Sequence, residues 1–483
     1  MLESGLSNCT DRHAINAIPV KKVIAAITFV LWSVTVHANA PAEITVSVAP
    51  SAVKVEAELV TPTRSWSFRN AYAGSLGFAE RITDFRAVDA SGQNAGAKNI
   101  APGEFRSDRD ATRISYTVDL STTNAADVPH ISWLTSGRGF LLFADLVPRD
   151  IESLSADFKL PFGSMIESTI SPDKKGRYQV LEPESAVFLV GPELRKTSDV
   201  ISGMALDFVV SGTWPFKEKR AFDGATQIMK QYLALTRHRL PGKSSIMIAP
   251  FRLSPAATWK AETRGSTLML VIDPDAQLNW VGQLRVIFTH ELLHLWVPNA
   301  LKLEGDYDWF FEGFTLYIAL RTAVELRIID FDEYLRTLAG VYDAYSSHPD
   351  DVSLIEASES RWTTSNTNVY VKGMLVAFLY DLKIRKESGG AAALADRYRE
   401  LFDGRVAANA NGNDAIISLL DSAPAMSGFA KLYVAGKTKI ALEQLLPAYG
   451  LTLDTSGKKS QIRVNRDLDA EQKQLLRSLG YRG

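Results

Sequence analysis

Between residues 41 and 214, apolar residues recur at alternate positions in short runs. ITVSVA (44–49), VKVEAELV (53–60) and RISYTVDL (113–120) follow this period, and GFLLFADLV (139–147) and ALDFVVSG (205–212) are denser in β-branched and aromatic residues. Such runs between turn signals predict strands, hence a β-rich N-terminal domain over 41–214, with SGQNAGAKNIAPG (91–103) as a loop. The period changes near Lys217. FDGATQIMKQYLALTRHRL (222–240) has helical spacing, while SSIMIAPF (244–251) and GSTLMLVID (265–273) predict two strands. From Asp330 to about Leu446 most segments predict helices, including FDEYLRTLAGVYDAY, VKGMLVAFLYDLKIR and AAALADRYRELF. The expected organisation is an α+β multidomain chain: a β-rich domain (41–214), a domain of strands and helices (215–329), a helical domain (330–446) and a short tail (447–483).

Composition adds three constraints. With 46% apolar and 22% charged residues and a formal charge of −2, the chain is an ordinary globular one. No basic surface points to nucleic acid or anionic lipid as a partner. Lys21 and Lys22 precede the apolar run VIAAITFVLWSVTV, followed by HANA. This reads as a signal peptide over 1–40, cleaved after Ala38 or Ala40; left uncleaved, it would be an N-terminal anchor. Export to a periplasm or beyond is therefore expected, with no other membrane partner. The single cysteine, Cys9, precedes that run, so the mature chain would have neither disulfides nor a thiol nucleophile.

The candidate chemistry lies in HELLHLW (290–296). On a helix, His290 and His294 share one face, one turn apart. Two imidazoles so placed can hold one Zn²⁺, with Glu291 beside them as a general base toward a water. The alternative is two incidental histidines on a half-exposed helix. Catalytic zinc usually has a third protein ligand and one open position. Glu312, within WFFEGFTLYIALR (309–321), is the candidate. This segment predicts a second helix with Asp308 as its N-cap. A lone carboxylate among so many aromatics is costly unless a metal, or an Arg or Lys, accompanies it. Gly313 beside it suits a close helix–helix approach.

HELLHLWVPNALKLEGDYDWFFEGFT resembles the zinc site of the gluzincin aminopeptidases, with features of both the aminopeptidase N and glycyl aminopeptidase families. Thr315 after EGF is closer to the glycyl type. The short gap to Glu312, and Asn299, are closer to aminopeptidase N. The block Tyr370-Val371-Lys372-Gly373 resembles the Y-x-K-G helix start of the same families. The resemblance spans about residues 215–400. It implies a thermolysin-like catalytic domain, one Zn²⁺ held by His290, His294 and Glu312, Glu291 as base, Tyr370 as transition-state stabiliser and a peptide substrate. It also implies that Glu262, in TWKAETRGSTLML, binds the substrate's α-amine, although Trp259, Lys260 and Ala261 stand where glycines are expected. If Glu262 does not face the cleft, a zinc endopeptidase is the alternative; a non-catalytic peptide-binding protein on the same fold is a third. Glycyl aminopeptidase relatives often end in a PDZ domain, and none is expected here. His130, His238 and His348 lack ligand-like spacing and are expected to be surface or packing residues. Oligomeric state and side-chain preference are not legible.

Overall fold

The computed structural model describes residues 42–122, 127–253, 258–278, 283–347, 351–363 and 366–483. The expected signal peptide and His348 lie outside them.

The alternating runs near the N-terminus become a seven-stranded sheet. Ala42–Val48 lies between Ala52–Ser67, antiparallel, and Leu154–Lys159, parallel. Lys98–Ala101, within the segment expected to be a loop, is a strand paired to Glu104–Asp119. All four of its residues are exposed, so no apolar alternation marks it. GFLLFADLV divides into a strand, Arg138–Leu142, and a one-turn helix, Phe143–Leu146.

Two further sheets complete the β layers. The four-stranded sheet contains Arg138–Leu142 and Val187–Pro192 at its centre. Leu141, Phe188 and Val190 face the core shared with the first sheet. Their neighbours Phe140, Leu142, Val187 and Leu189 face a second core, against Val209, Met247, Ala249, Met269 and Val271. Period-2 alternation with both faces apolar is what a sheet buried on both sides requires.

The last five of those residues belong to a five-stranded sheet in the order Arg195–Ile201, Met204–Val210, Lys243–Pro250, Thr267–Ile272, Trp259–Arg264. ALDFVVSG, expected at the end of the β-rich stretch, pairs in parallel with Lys243–Pro250 and so shares a sheet with strands from beyond residue 214. Strand periodicity cannot say which sheet a strand joins; the pairing partner decides it. Trp259–Arg264 is the antiparallel edge strand of this sheet.

The opposite face of that sheet carries the helices. Phe208, Ile246, Ile248, Leu268 and Leu270 share one core with Phe288, Trp296, Phe310, Phe314, Leu375 and Phe378. The same core continues through the helical region into Leu475, Leu476 and Leu479. The stretch 447–483 is therefore an integral part of the fold: a hairpin and the helix Ala470–Ser478, whose following residue Leu479 accepts a hydrogen bond from Arg321 at 2.6 Å. Among the described residues, no helix is long and apolar enough to cross a membrane.

Candidate metal centre and catalytic cleft

HELLH lies at the end of the helix Arg285–Glu291, which tightens into a 3₁₀ turn at Leu293–Leu295. Apolar residues fix its orientation. Phe288, Leu292, Leu293, Leu295 and Trp296 are buried in the core, leaving His290 and His294 on the opposite side. The Trp296 indole donates to the His238 carbonyl at 2.8 Å, and Tyr232 donates to the Thr289 carbonyl. Glu312 lies in a π-helical turn, Trp309–Phe314, which leads into the helix Thr315–Glu325. Such turns re-aim a side chain within an otherwise helical segment and recur at functional sites.

His290, His294 and Glu312 converge. The two Nε2 atoms are 3.2 Å apart, and each is 3.5 Å from Glu312 Oε2. Zn–N bonds of 2.0–2.1 Å would place tetrahedral ligand atoms about 3.3 Å apart, so this triangle has the size a zinc ion needs. Nδ1 of His294 faces the Val297 carbonyl at 3.0 Å, which directs Nε2 and its lone pair to the centre. The electrostatics agree. Burial works against a charge on His294, but Glu312 and Glu291 push its pKa up to about 9. Burial also opposes the Glu312 charge, yet His294, His290 and Arg361 hold that carboxyl well below its usual range. The carboxylates thus favour positive charge where the two imidazoles meet. Among the described residues, this trio is the only such group with metal-ligating spacing.

Glu291 and Tyr370 adjoin the trio. Glu291 is buried, and Thr263 on the edge strand donates to its carbonyl at 2.9 Å. Asn299 donates to the Thr263 and Gly265 carbonyls at 3.2 and 3.0 Å, tying the segment after HELLH to the same strand. Tyr370 is the fifth residue of the helix Asn366–Glu387. Burial and the carboxylates of Glu312 and Glu291 push its phenol well above the ordinary value, so it stays a hydroxyl.

Arg361, absent from the sequence expectations, joins these parts. It donates to Glu312 Oε1 at 2.8 Å and to the Tyr370 oxygen at 2.6 Å, and it also contacts Asp308. Asp308 makes no capping bond from its side chain; it serves Arg361 instead. The two alternatives for Glu312 thus coexist, with one oxygen toward the histidines and the other on an arginine. No spacing rule marks Arg361, because the turn that carries it is brought to the site by tertiary packing alone.

Glu262 lies on the edge strand and is heavily partnered. Arg264 Nη2 and Tyr72 donate to Oε1 at 2.9 and 3.0 Å, and His130 Nδ1 lies 2.8 Å from Oε2. Burial opposes its charge, but Arg264 and His130 lower its pKa to about 2. His130, expected to be a surface or packing residue, is therefore part of the polar network around Glu262. His238 stacks on Phe402, as a packing residue would.

No protein-family model matches the chain, and no curated protein sequence is similar to it. Solved structures do match. An aminopeptidase N family protein from Idiomarina loihiensis superposes with a TM-score of 0.73 at 18% identity, covering 86% of this chain and 79% of that one. An M1 zinc metallopeptidase from Deinococcus radiodurans, bound as a point mutant to the substrate Tyr-Ser-Ala, superposes at 0.55 with 14% identity, covering 83% and 94%. At these identities the similarity establishes the fold. The chain has a gluzincin aminopeptidase-like fold, with mixed α and β layers and a helical C-terminal region.

Proposed function

We propose that this chain is a zinc-dependent metallopeptidase of the aminopeptidase type, with a thermolysin-like catalytic domain. The observation that carries the reading is the triangle of His290 Nε2, His294 Nε2 and Glu312 Oε2, with Glu291 and Tyr370 beside it. His290, His294 and Glu312 would hold the metal. Zinc, when bound, acidifies a water and polarises a carbonyl. Glu291 is the residue placed to accept a proton from an attacking water and to pass it to the leaving amine. Tyr370 donates a hydrogen bond to the oxygen that gains charge. Arg361, already donating to the Tyr370 oxygen, favours the phenol as donor. The anionic Glu262 on the edge strand supplies a counter-charge for a substrate α-ammonium.

A second reading, an endopeptidase, is favoured by one observation: Arg264, His130 and Tyr72 already occupy most of the accepting capacity of Glu262. Paired peptides distinguish the two. Peptides with a free N-terminus are expected to be cleaved and their acetylated copies left almost untouched, with a chelator abolishing both rates. Internal cleavage of acetylated peptides at equal rate would replace the aminopeptidase reading with the endopeptidase one and leave the zinc assignment standing.

We also propose that the protein is exported. The support is the basic-then-apolar leader ending in HANA. On expression of the full chain in a bacterial host, N-terminal sequencing of the periplasmic product is expected to begin at Asn39 or Pro41. Intact Met1 on a cytoplasmic product would remove the proposal.

A further inference from the structure

One guanidinium stands between Glu312 and Tyr370, and its donors can be assigned atom by atom. Arg361 Nη2 directs its N–H groups at two oxygens, Glu312 Oε1 at 2.8 Å and the Tyr370 oxygen at 2.6 Å. Nη1 is taken by Asp308. Glu312 meets the two histidines with its other oxygen, Oε2. The Trp362 ring lies 4.3 Å from the guanidinium carbon and helps to fix its plane. The backbone that carries Arg361 is anchored on both sides. The short helix Leu354–Glu359 starts in a capping box made by Ser353 and Glu356. Near its end, Ser358 Oγ accepts from the backbone N–H of Trp309, the first residue of the π-helical turn that holds Glu312, at 2.9 Å. Just before it, the Val352 carbonyl accepts from Lys372 at 2.6 Å, and Lys372 belongs to the helix that holds Tyr370. Arg361 N closes the turn on the Ser358 carbonyl at 3.2 Å.

We infer that Arg361 is a positioning residue with two tasks: it keeps Glu312 a one-oxygen ligand, and it aims the Tyr370 hydroxyl hydrogen at the substrate. The inference rests on the metallopeptidase reading and adds a residue to its machinery. Three features carry it. A carboxylate oxygen engaged in a charge-assisted bond is not free to join its twin on a metal ion. Glu312 therefore offers Oε2 alone, and the position that a second oxygen would take stays open for water. A guanidinium has no acceptor, so an oxygen facing it can only accept. The Tyr370 hydrogen must then point away from Arg361. Finally, the side chains of Arg361, Asp308 and Glu312 are only 8%, 12% and 10% exposed, so their charges act on one another with little screening. Asp308 balances the Arg361 charge, which leaves the Glu312 charge for the metal.

The test uses the full chain, loaded with Zn²⁺ for kinetics and with Co²⁺ for spectroscopy. Arg361→Met removes the donors with little change of volume. It should lower kcat by about 10–100-fold and change KM less. Its Co²⁺ visible bands should weaken relative to wild type, because Glu312 can now give both oxygens and raise the coordination number. Part of the kinetic loss acts through Tyr370. Arg361→Met combined with Tyr370→Phe should therefore fall short of the product of the two single losses by at least about threefold. Asp308→Asn leaves Glu312 and Tyr370 intact and weakens only the hold on Arg361. It should show the same changes to a smaller extent, and it decides the matter if Arg361→Met does not fold. Co²⁺ spectra that superimpose on wild type, or losses that simply multiply, each overturn the inference. A wild-type chain that cleaves no peptide would sink the metallopeptidase reading instead, while the Co²⁺ spectra still report on Arg361 and Glu312.

Discussion

Glu291→Gln is expected to bind zinc as the wild-type chain does and to lose at least about 10²-fold in kcat, roughly 2.7 kcal/mol of transition-state stabilisation. The amide is nearly isosteric with the carboxylate, and Glu291 is not one of the three convergent ligands, so metal content should not change. The Thr263 contact to the Glu291 backbone carbonyl survives the substitution and keeps the segment in place. Only the ability to accept a proton is removed. Tyr370→Phe is the companion variant. It should also keep zinc, and it should lower kcat more than it raises KM, because its hydrogen bond matters most once the oxyanion forms. Metal analysis with steady-state kinetics on a free-amine peptide checks both. Turnover of Glu291→Gln within about twofold of wild type would remove Glu291 as the base.

Gly313→Ala should be among the most damaging single-atom-group additions in the chain. Its Cβ would lie 2.5 Å from Gly373 Cα, 2.6 Å from the Val369 carbonyl oxygen and 2.7 Å from the Gly373 carbonyl carbon. All three are backbone atoms, so no rotamer change relieves the overlap and the two helices must separate. We expect a loss of about 3 kcal/mol or more of stability, at the upper end for overpacking. Glu312 precedes Gly313 and Tyr370 precedes Gly373 by one turn. Separation therefore also displaces Glu312 from Tyr370, and activity should fall further than the folded fraction does. Gly340→Ala is the matched control. That glycine is exposed in the helix Phe331–Ser347 with nothing within 4 Å of its Cβ position. There the same methyl group should stabilise by about 0.5–1 kcal/mol. Denaturant unfolding of both variants decides the matter. A Gly313→Ala protein as stable as wild type would mean that the helices do not approach as described.

Much of the candidate site was legible because its signals are local. His290, Glu291 and His294 fall within one helical turn, where spacing alone dictates geometry. Glu312 stood out as a carboxylate in an aromatic run, and Gly313 as a gap for a neighbouring helix; that neighbour is the Gly373 of the YVKG block. The parts that were not legible depend on contacts between distant segments. Arg361 reaches Glu312 across 49 residues, and His130 reaches Glu262 across 132. A single arginine or histidine carries no period by which its destination can be read.

By itself, the sequence determined most of the helix and strand types, the candidate metal-ligating trio and the candidate general base. Each follows from a repeat of 2 or 3.6 residues or from a burial cost evident in the local composition. Tertiary structure alone decided three further matters. It put ALDFVVSG into the five-stranded sheet, because a strand with two apolar faces can enter any buried layer and only hydrogen-bonded register selects one. It merged the helical region and residues 447–483 into one core with the helices that carry HELLH and Glu312, because burial is shared among segments irrespective of their order. And it surrounded Glu262 with Arg264, His130 and Tyr72, because a buried carboxylate takes its compensating donors from wherever the fold presents them.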